Sequence, residues 1–346
     1  GRPVGVTLAD GAHGVLAAAS GLALTGRRVA GFLPADRLPD VQDLLRAAAE
    51  RRLPLVLHAA IESVTGNGRG HGNYHAIADT GAFLAFARNI QEAADLTLVA
   101  RLAAETALTP AVVALDASET AWSAQDLKLP DPELVREFLG RAEESIDSPT
   151  SAQTLVFGET RRRVPRWFDL DRPAALGVPL SGPDFEAAVA GRRAFFAGPM
   201  RAAVEEGMAR LAERTGRSLS FVSRHRLEGA RHVIVAQGAA VETAQAVADH
   251  LRRTAKARIG VLGLTWLRPL DEAGIREALA GAEAVTVLDR GTEPAAEQPP
   301  LMREIRAVLQ GRGPRLISAT LTDINAADLV AVCRNMQAGE QARPAV

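Results

Sequence analysis

The sequence has almost no cysteine: Cys333 is the only one in 346 residues. A single thiol excludes a disulfide framework. It also excludes an iron–sulfur cluster held by this chain alone, because such a cluster needs about four thiolates. The composition suits a reducing compartment, so we expect a cytoplasmic protein.

Long apolar runs and a surplus of either charge are also lacking. No run approaches the roughly 18 apolar residues of a membrane span, and no charged-then-apolar export signal is present. Forty Lys and Arg nearly balance 41 Asp and Glu, for a net charge of −1. We therefore predict no membrane span and no nucleic-acid partner. The chain begins at Gly1 rather than at methionine, and we expect sequence upstream of Gly1 to be missing.

The sequence does contain short apolar runs that alternate with helical patterns. The first series predicts strands at 4–8, 28–33, 53–60, 82–87 and 111–116, and helices at 14–24, 41–52 and 90–107. The second predicts strands at 232–236, 259–264, 284–288 and 316–320, and helices at 242–254, 271–280, 301–309 and 326–335. Alternation at this spacing is typical of mostly parallel sheets covered by helices on both faces.

Between the two series, prolines interrupt the pattern, and one long helix is predicted near 201–215. This segment is too apolar for a disordered linker. The predicted fold class is α/β, with two doubly wound, mostly parallel-sheet domains joined by an irregular connector. The predicted bounds are 1–145, 146–230 and 231–340.

The stretch GNGRGHGNYH at 66–75 looks suited to chemistry. It lacks the Gly-Lys-Ser/Thr sequence of a phosphate loop. His71 and His75 are four residues apart, which on a helix would place both imidazoles on one face as metal ligands. Gly70 and Gly72 disfavour a helix at that end, and no acidic residue or cysteine completes the set. We favour a mobile or substrate-adjacent loop over a metal site, and predict no metal held by this chain.

Three further places join a predicted strand to a helix. Asp10 either serves a ligand at the carboxyl edge of the sheet or, as the simpler alternative, caps the first helix. Gly238 permits a tight turn whose following amides could receive an anion, although such turns are usually empty. Asp289, Arg290 and Glu293 leave a strand end together, and we favour an internal ion-pair network for them over a ligand site.

Eight segments together resemble one family, the pyruvate:ferredoxin oxidoreductases within the thiamine-diphosphate-dependent 2-oxoacid oxidoreductases. Their order and spacing along nearly the whole chain carry the resemblance. The segments are LVLHAA (55–60), DTGAFLAFARNIQEAADLTLVA (79–100), PAVVALDASETAWS (110–123), AQTLVFGETRRRVP (152–165), ARLAERTGRSLSFV (209–222), RHVIVAQGAAVETAQAVADHL (231–251), IGVLGLTWLRPLD (259–271) and VTVLDRGTEPAAEQPPL (285–301).

The resemblance implies that the first domain is a pyrimidine-binding module and the last a transketolase C-terminal-like domain. In the family, a glutamate in an E-G-G-like turn meets the pyrimidine of thiamine diphosphate and favours the tautomer that activates the cofactor. Asp10 and Gly11 occupy the matching place. The resemblance thus makes Asp10 the catalytic candidate, and Asp10 and Gly11 the cofactor-binding candidates.

The chain also departs from the family pattern. Asp10 is one methylene shorter than glutamate, and Ile61 stands where the family has an arginine for the substrate carboxylate. The family's G-D-H-x-D-V-M loop is replaced by a stretch with His71 and His75. We therefore name Ile61, His71 and His75 as substrate-pocket candidates, and pyruvate itself becomes a doubtful substrate.

Neither a G-D-G…N diphosphate and magnesium motif nor a cysteine cluster is found in the sequence. The resemblance then implies a partner chain or domain that carries the diphosphate-binding and iron–sulfur modules, with Mg and the clusters on that partner only. Ferredoxin or flavodoxin, a 2-oxoacid and coenzyme A are further implied ligands or partners, and the core is expected to be dimeric.

Three functions remain open at this point. The first is a component of a 2-oxoacid:ferredoxin oxidoreductase that performs oxidative decarboxylation. The second is a catalytically degenerate paralogue that serves as a scaffold or docking subunit, suggested by Ile61 and the altered loop. The third is a transketolase or dehydrogenase-E1 type component without iron–sulfur chemistry, against which the connector counts.

Overall fold

The computed structural model describes residues 5–62, 70–171, 181–192, 198–291 and 296–345. Its strands are β1 (Ala30–Pro34), β2 (Val56–Ile61), β3 (Phe83–Ala87), β4 (Ala111–Asp116), β5 (Ser145–Asp147), β6 (Thr160–Arg162), β7 (Val222–His225), β8 (His232–Gln237), β9 (Ile259–Leu264), β10 (Trp266–Arg268), β11 (Ala284–Arg290) and β12 (Arg315–Leu321).

The helices alternate with these strands along most of the chain. They are α1 (Gly11–Leu24), α2 (Gln42–Glu50), α3 (Gly72–His75), α4 (Ile90–Ala107), α5 (Pro132–Leu139), α6 (Ser151–Phe157), α7 (Gly182–Arg192), α8 (Gly198–Thr215), α9 (Ala240–Ala255), α10 (Glu272–Leu279), α11 (Pro300–Leu309) and α12 (Ala326–Gln337). None of the helices in the described ranges is both long and apolar enough to cross a membrane.

The first sheet has the strand order β1-β2-β4-β3-β10. β1 to β4 are parallel, and β10 joins the edge antiparallel to β3. One face packs against α1 and α2, and the other against α4 and α8. The inner strands β2, β3 and β4 therefore read as nearly continuous apolar runs, because both of their faces are buried, whereas the edge strand β1 alternates exposed and buried residues.

The second sheet has the order β12-β11-β8-β9-β7, with only β7 antiparallel to its neighbour. The helices α9 and α12 cover one face, and α10 and α11 cover the other. The predicted α/β class with two doubly wound, mostly parallel sheets is confirmed. The predicted bounds 1–145, 146–230 and 231–340 stay a prediction.

The connector is more structured than its prolines suggested. The predicted helix at 201–215 is α8, which packs on α4, and α6 and α7 lie in the same segment. A Cβ added at Gly207 would lie 3.0 Å from Cγ1 of Val99, so the missing side chain lets the two helices approach closely. This contact ties the connector to the outer face of the first sheet.

The predicted strand at 4–8 is wrong for its described part. Residues 5–9 have no regular secondary structure, and Val6 and Leu8 are almost fully exposed. The apolar alternation of VGVTL suits a strand, but β1 and not this segment forms the edge of the sheet. A strand pattern without a neighbouring strand leaves the backbone unpaired.

Candidate functional site

The carboxyl edge of the first sheet is where the candidate residues lie. Ile61 ends β2, Asp116 ends β4, and the two residues are Cα partners across the parallel pair. The helix α1 packs beside β1, and residues 25–29 connect the end of α1 to the start of β1. The helix therefore runs opposite to the strand, and the start of α1 lies at the carboxyl edge of the sheet. Parallel α/β sheets hold their ligands at this edge.

Asp10 immediately precedes α1 and is exposed. Asp10 stands at the N-cap position of α1, but its side chain accepts no hydrogen bond from the first amides of the helix. It therefore does not cap the helix, which was the simpler alternative. Gly11 follows with φ of +64°, a left-handed conformation that favours glycine. Its carboxylate, which has no hydrogen-bond partner among the described residues, is therefore presented at the edge of the sheet.

Ile61 is 3% exposed and belongs to the apolar core between the first sheet and α1 and α2. A branched aliphatic side chain in this place offers no charge to a substrate carboxylate. A buried cation does contact Asp116, the strand partner of Ile61, but it belongs to the second sheet: Arg290 at the end of β11.

Asp116 is fully buried and accepts three hydrogen bonds. His71 Nε2 and Arg290 Nη1 each lie 2.8 Å from Oδ1, and the main-chain amide of Ala239 lies 2.8 Å from Oδ2. Burial alone would raise the pKa of Asp116, but His71, Arg290 and these hydrogen bonds hold it below its ordinary value. The ionised carboxylate at the end of β4 is thus bound by His71 of its own domain and by Arg290 and Ala239 of the second.

Gly238 is required for this contact. Its φ is +63°, and a Cβ there would lie 2.1 Å from Oδ2 of Asp116 and 2.6 Å from Cε1 of Phe86. The amide that follows this glycine does receive an anion, as the turn pattern allowed, and the anion is the side chain of Asp116.

Arg290 is bound on several sides. Besides Asp116, its guanidinium contacts the carboxylate of Glu119 at 3.1 and 3.0 Å and donates to the carbonyl of Thr322 at 3.2 Å. Its own carbonyl accepts from the amide of His71 at 2.8 Å. The expected ion-pair network therefore exists at this strand end, but it joins Arg290 to the first sheet.

Asp289 does not pair with Arg290. It accepts from the amides of Leu301 at 2.8 Å and Met302 at 3.3 Å and so holds the start of α11. Burial raises the pKa of Asp289 to about 6, against the opposing effect of these hydrogen bonds. Glu293 lies outside the described residues.

The part of the 66–75 stretch that is described begins at Gly70, and residues 66–69 lie outside it. The two glycines around His71 predicted that this end of the stretch is not helical, and that prediction is wrong. The helix α3 begins at Gly72, and His71 itself has helical dihedral angles. A Cβ at Gly70 would lie 2.4 Å from the carbonyl oxygen of Arg290, so this turn packs directly on the end of β11. The close packing fixes a helical turn that glycine propensity alone disfavours.

His71 and His75 do lie on one helical turn, but they face different partners. His71 is bound to Asp116, while His75 Nε2 lies 2.9 Å from Oε1 of Gln237 in the second sheet. Burial, with the charges of His71, Arg268 and Arg303, lowers the pKa of His75 to about 3, so the ring is neutral at physiological pH. Within the described ranges, no group of three or more side chains is placed to hold a metal ion.

The interface around α3 also contains buried polar atoms with no described partner. Tyr74 Oη, His75 Nδ1, Gln237 Nε2 and Arg290 Nε are among them. Such atoms in an interface usually bind ordered water. We call the set of Asp116, Arg290, His71, His75, Gln237 and Glu119 the inter-sheet cluster.

The structure therefore brings Ile61, His71 and His75 to the region where the two sheets meet. Asp10 and Gly11 lie at the same edge of the first sheet, but in an exposed position. Sequence reasoning missed Asp116 and Gln237 as partners. The available signal was that the apolar runs AVVAL and HVIVA end on the polar residues Asp116 and Gln237, at the edge where side chains of neighbouring strands converge.

Two family models match this chain. The model for the thiamine-diphosphate-binding domain of pyruvate flavodoxin/ferredoxin oxidoreductases matches residues 4–168, and that for core domain II of pyruvate:ferredoxin oxidoreductase matches residues 230–328. The inter-sheet cluster draws residues from both matched ranges.

Two subunits of 2-oxoacid-metabolising enzymes are similar in sequence to most of this chain. The pyruvate synthase subunit PorA of Thermotoga maritima is 28% identical over 292 residues, covering 83% of this chain and 69% of the relative. The alpha subunit of NADH-dependent phenylglyoxylate dehydrogenase of Aromatoleum evansii is 27% identical over 321 residues, with coverages of 90% and 72%.

Among solved structures, a 2-oxoglutarate:ferredoxin oxidoreductase from Magnetococcus marinus has the same fold. The TM-score is 0.65 at 13% sequence identity, and the match covers 96% of this chain and 57% of that chain. This chain thus spans somewhat more than half of the solved relative.

Proposed function

The chain belongs to the 2-oxoacid:ferredoxin oxidoreductase family, and on this premise we propose that it supplies the pyrimidine-binding side of a thiamine-diphosphate-dependent active site. The observation that carries the proposal is Asp10: an exposed carboxylate, free of capping duty, at the carboxyl edge of the domain matched by the cofactor-binding model.

The residues present suit one half of the cofactor. Asp10 can accept a hydrogen bond from a ring nitrogen of the aminopyrimidine, and the left-handed turn at Gly11 directs α1 away from it. Thiamine diphosphate, when bound, would supply a carbon nucleophile for the keto group of a 2-oxoacid and an acceptor for the electron pair of the bond that breaks beside it. The role of Asp10 is to orient the ring and to hold a proton at its nitrogen.

The diphosphate half is assigned to a partner. In the described part of the chain no side-chain set suits a magnesium ion, and the sequence has no G-D-G…N motif. We propose a partner chain or domain that binds the diphosphate with Mg and carries the iron–sulfur clusters. Ferredoxin or flavodoxin would accept the electrons, and coenzyme A would accept the acyl group.

The inter-sheet cluster has a structural part in this proposal. Asp116 and Arg290 fix the end of β4 against the end of β11, and His71 ties the turn after β2 to both. These contacts hold the carboxyl edge of the first sheet in one arrangement. His71 and His75 remain candidates for the border of the substrate pocket, with their ring nitrogens Nε2 already engaged by Asp116 and Gln237.

The test is 2-oxoacid-dependent reduction of ferredoxin by the complete complex, with Asp10→Ala, Asp10→Asn and Asp10→Glu in this chain. We expect Ala and Asn to lose at least tenfold in rate, because a hydrogen bond to a charged group contributes about 1.5–3 kcal/mol, and Glu to keep activity. Asp43→Ala, an exposed carboxylate on α2, is the matched control. Unchanged rates in both Ala and Asn variants would remove Asp10 from the site.

A scaffold without catalysis is the second candidate, and Ile61 is the observation that favours it. Its side chain is buried in the core, and Arg290, the buried cation at this edge, is already bound to Asp116 and Glu119. On this alternative the complex binds no thiamine diphosphate through this chain. Stoichiometric binding of the cofactor together with turnover of any 2-oxoacid would rule the scaffold out.

A further inference from the structure

A cavity of about 380 Å³ lies beside the second sheet, where the last turn of α9 meets the turn that follows β7. Its lining consists of Arg226, Asp249, Arg252 and Arg253. Three guanidinium groups and one carboxylate thus border the same space. An excess of cationic groups around a small cavity raises the local concentration of anions.

The cavity lies at the opposite edge of the second sheet from the inter-sheet cluster. Arg252 Nε donates at 2.6 Å to the carbonyl of Ile259, the first residue of β9. The strands β8, β9 and β11 are parallel, and Gln237 and Arg290 of the cluster are the last residues of β8 and β11. Strands of this length span about 20 Å, so a small ligand in the cavity does not contact the cluster.

Two of the arginines are held in place by the fold. Arg252 Nη2 donates to the carbonyl of Arg226 at 2.6 Å, so its guanidinium joins the turn after β7 to the start of β9. Arg226 has φ of +54°, which is uncommon for a residue other than glycine, and its Nε donates to Oδ1 of Asp249 at 3.0 Å. Side chains that are already ordered lose less conformational entropy when a ligand binds.

The charges that line the cavity do not balance. Asp249 is paired with Arg226 and also lies 3.1 Å from His225 Nε2. Among the described residues, Arg252 binds main-chain carbonyls rather than a carboxylate, and Arg253 is exposed and has no ion-pair partner. Two guanidinium charges therefore remain without a counter-charge there, which matches the charge of roughly −1.5 to −2 on a phosphate group at neutral pH.

The residue types also favour phosphate over other anions. The planar donors of arginine match two oxygens of a phosphate at once. The stretch HLRRTAKAR at 250–258 contains four Lys and Arg and no acidic residue. The negative end of the α9 dipole opposes an anion, and Arg252 and Arg253 in the last turn of that helix offset it.

We propose that this cavity binds the phosphate group of a small ligand, with Arg252 and Arg253 as the principal donors. The site is independent of the proposed thiamine diphosphate site, because the two share no residue. A bound phosphate joins the end of α9 to the turn after β7, and it stabilises the folded chain in proportion to its occupancy.

Calorimetric titration of the intact chain tests the proposal, with inorganic phosphate and ADP as separate probes in chloride buffers of equal ionic strength. We expect one saturable site per chain for at least one probe. Tighter binding of ADP assigns the site to a nucleotide, and equal or tighter binding of inorganic phosphate assigns it to the free anion. The absence of saturable binding by both probes would overturn the proposal.

Arg253→Ala should weaken the binding of the better probe at least about tenfold, because it removes charged hydrogen-bond donors. The matched control is Arg306→Ala: Arg306 is also exposed in the last turn of a helix, but α11 covers the other face of the sheet. Saturating probe should raise the melting temperature of the wild type and of Arg306→Ala more than that of Arg253→Ala. Equal affinities in the two variants would contradict a site at this cavity.

Asp249→Asn changes the affinity in the opposite direction. It removes the carboxylate that opposes an anion and frees Arg226 to bind the probe, so the affinity should rise. Weaker binding in Asp249→Asn than in the wild type would show that the arginines of this cavity do not hold the phosphate as proposed.

Discussion

The charge of Asp116 should account for a large part of the coupling between the two sheets. Asp116→Asn keeps the size of the side chain but removes the charge, and an amide nitrogen cannot accept the hydrogen bonds that His71, Arg290 and the amide of Ala239 now donate. At least one buried donor loses its partner. Among the described residues, Glu119 is then the remaining counter-charge of Arg290.

The expected cost is large for a single substitution. Removing one partner of a buried, hydrogen-bonded ion pair typically costs about 3–5 kcal/mol. Since Glu119 still neutralises part of the charge of Arg290, we expect the lower end, about 3 kcal/mol, as the fall in the free energy of unfolding. Urea unfolding followed by tryptophan fluorescence measures it.

The matched control is Asp249→Asn. Asp249 also accepts from an arginine and lies near a histidine, Arg226 at 3.0 Å and His225 at 3.1 Å, but its side chain is 40% exposed. Solvent screening limits such a pair to about 1 kcal/mol or less. If Asp116→Asn lowers the free energy of unfolding no more than Asp249→Asn does, the inter-sheet cluster does not hold the sheets together as described.

The pH dependence provides a second check on the same residue. The folded state lowers the pKa of Asp116 below its ordinary value of 3.8, so its stabilisation is complete above that value and is lost as the pH falls through the lower folded pKa. Asp116→Asn should remove this part of the acid-induced loss of stability. An unchanged acid limb in the variant would contradict an ionised Asp116.

Three further outcomes follow from the same geometry. Gly238→Ala should lower the free energy of unfolding by more than about 1 kcal/mol, because φ is +63° and the new Cβ meets Oδ2 of Asp116; a neutral effect by urea unfolding would contradict the close approach. Burial lowers the pKa of His75 from 6.5 to about 3, so its ring should stay neutral down to about pH 4. The protein should therefore lose stability as the pH falls from 6.5 to about 3, and His75→Gln should reduce that loss. A ring that titrates near pH 6.5 by NMR would refute this. Asp289 has its pKa raised to about 6, so its contribution weakens as the pH rises from 3.8 through 6, and Asp289→Asn should abolish that slope in thermal melts.

Much of the fold was predictable because parallel strands buried on both faces read as short apolar runs. The predicted strands at 111–116 and 259–264 and the helix at 90–107 have the bounds of β4, β9 and α4. The predicted strand at 4–8 was wrong because alternating apolar residues show only that a segment could form a strand. A strand also needs a neighbouring strand to pair with. The short β10 joins the first sheet from a distant part of the chain, and no local pattern announces such a crossover.

The site was predictable only in part. Periodicity placed Asp116 and Arg290 at strand ends, but they are 174 residues apart in the chain, and only the meeting of the two sheets makes them partners. The helical turn at His71 was missed because packing against the carbonyl of Arg290 outweighs the local preference of two glycines. The roles of Asp10, Ile61, His71 and His75 stay predictions.

Calorimetric titration of thiamine diphosphate, with Mg²⁺, into the complete complex tests the proposed cofactor site most directly. We expect one cofactor bound per copy of this chain, and a loss of affinity of roughly 10- to 100-fold in Asp10→Asn, the equivalent of about 1.5–3 kcal/mol for a hydrogen bond to a charged group. The stability of the variant should be unchanged, because Asp10 is exposed and makes no capping hydrogen bond. Equal affinity in wild type and Asp10→Asn, or no binding by either complex, would contradict the assignment.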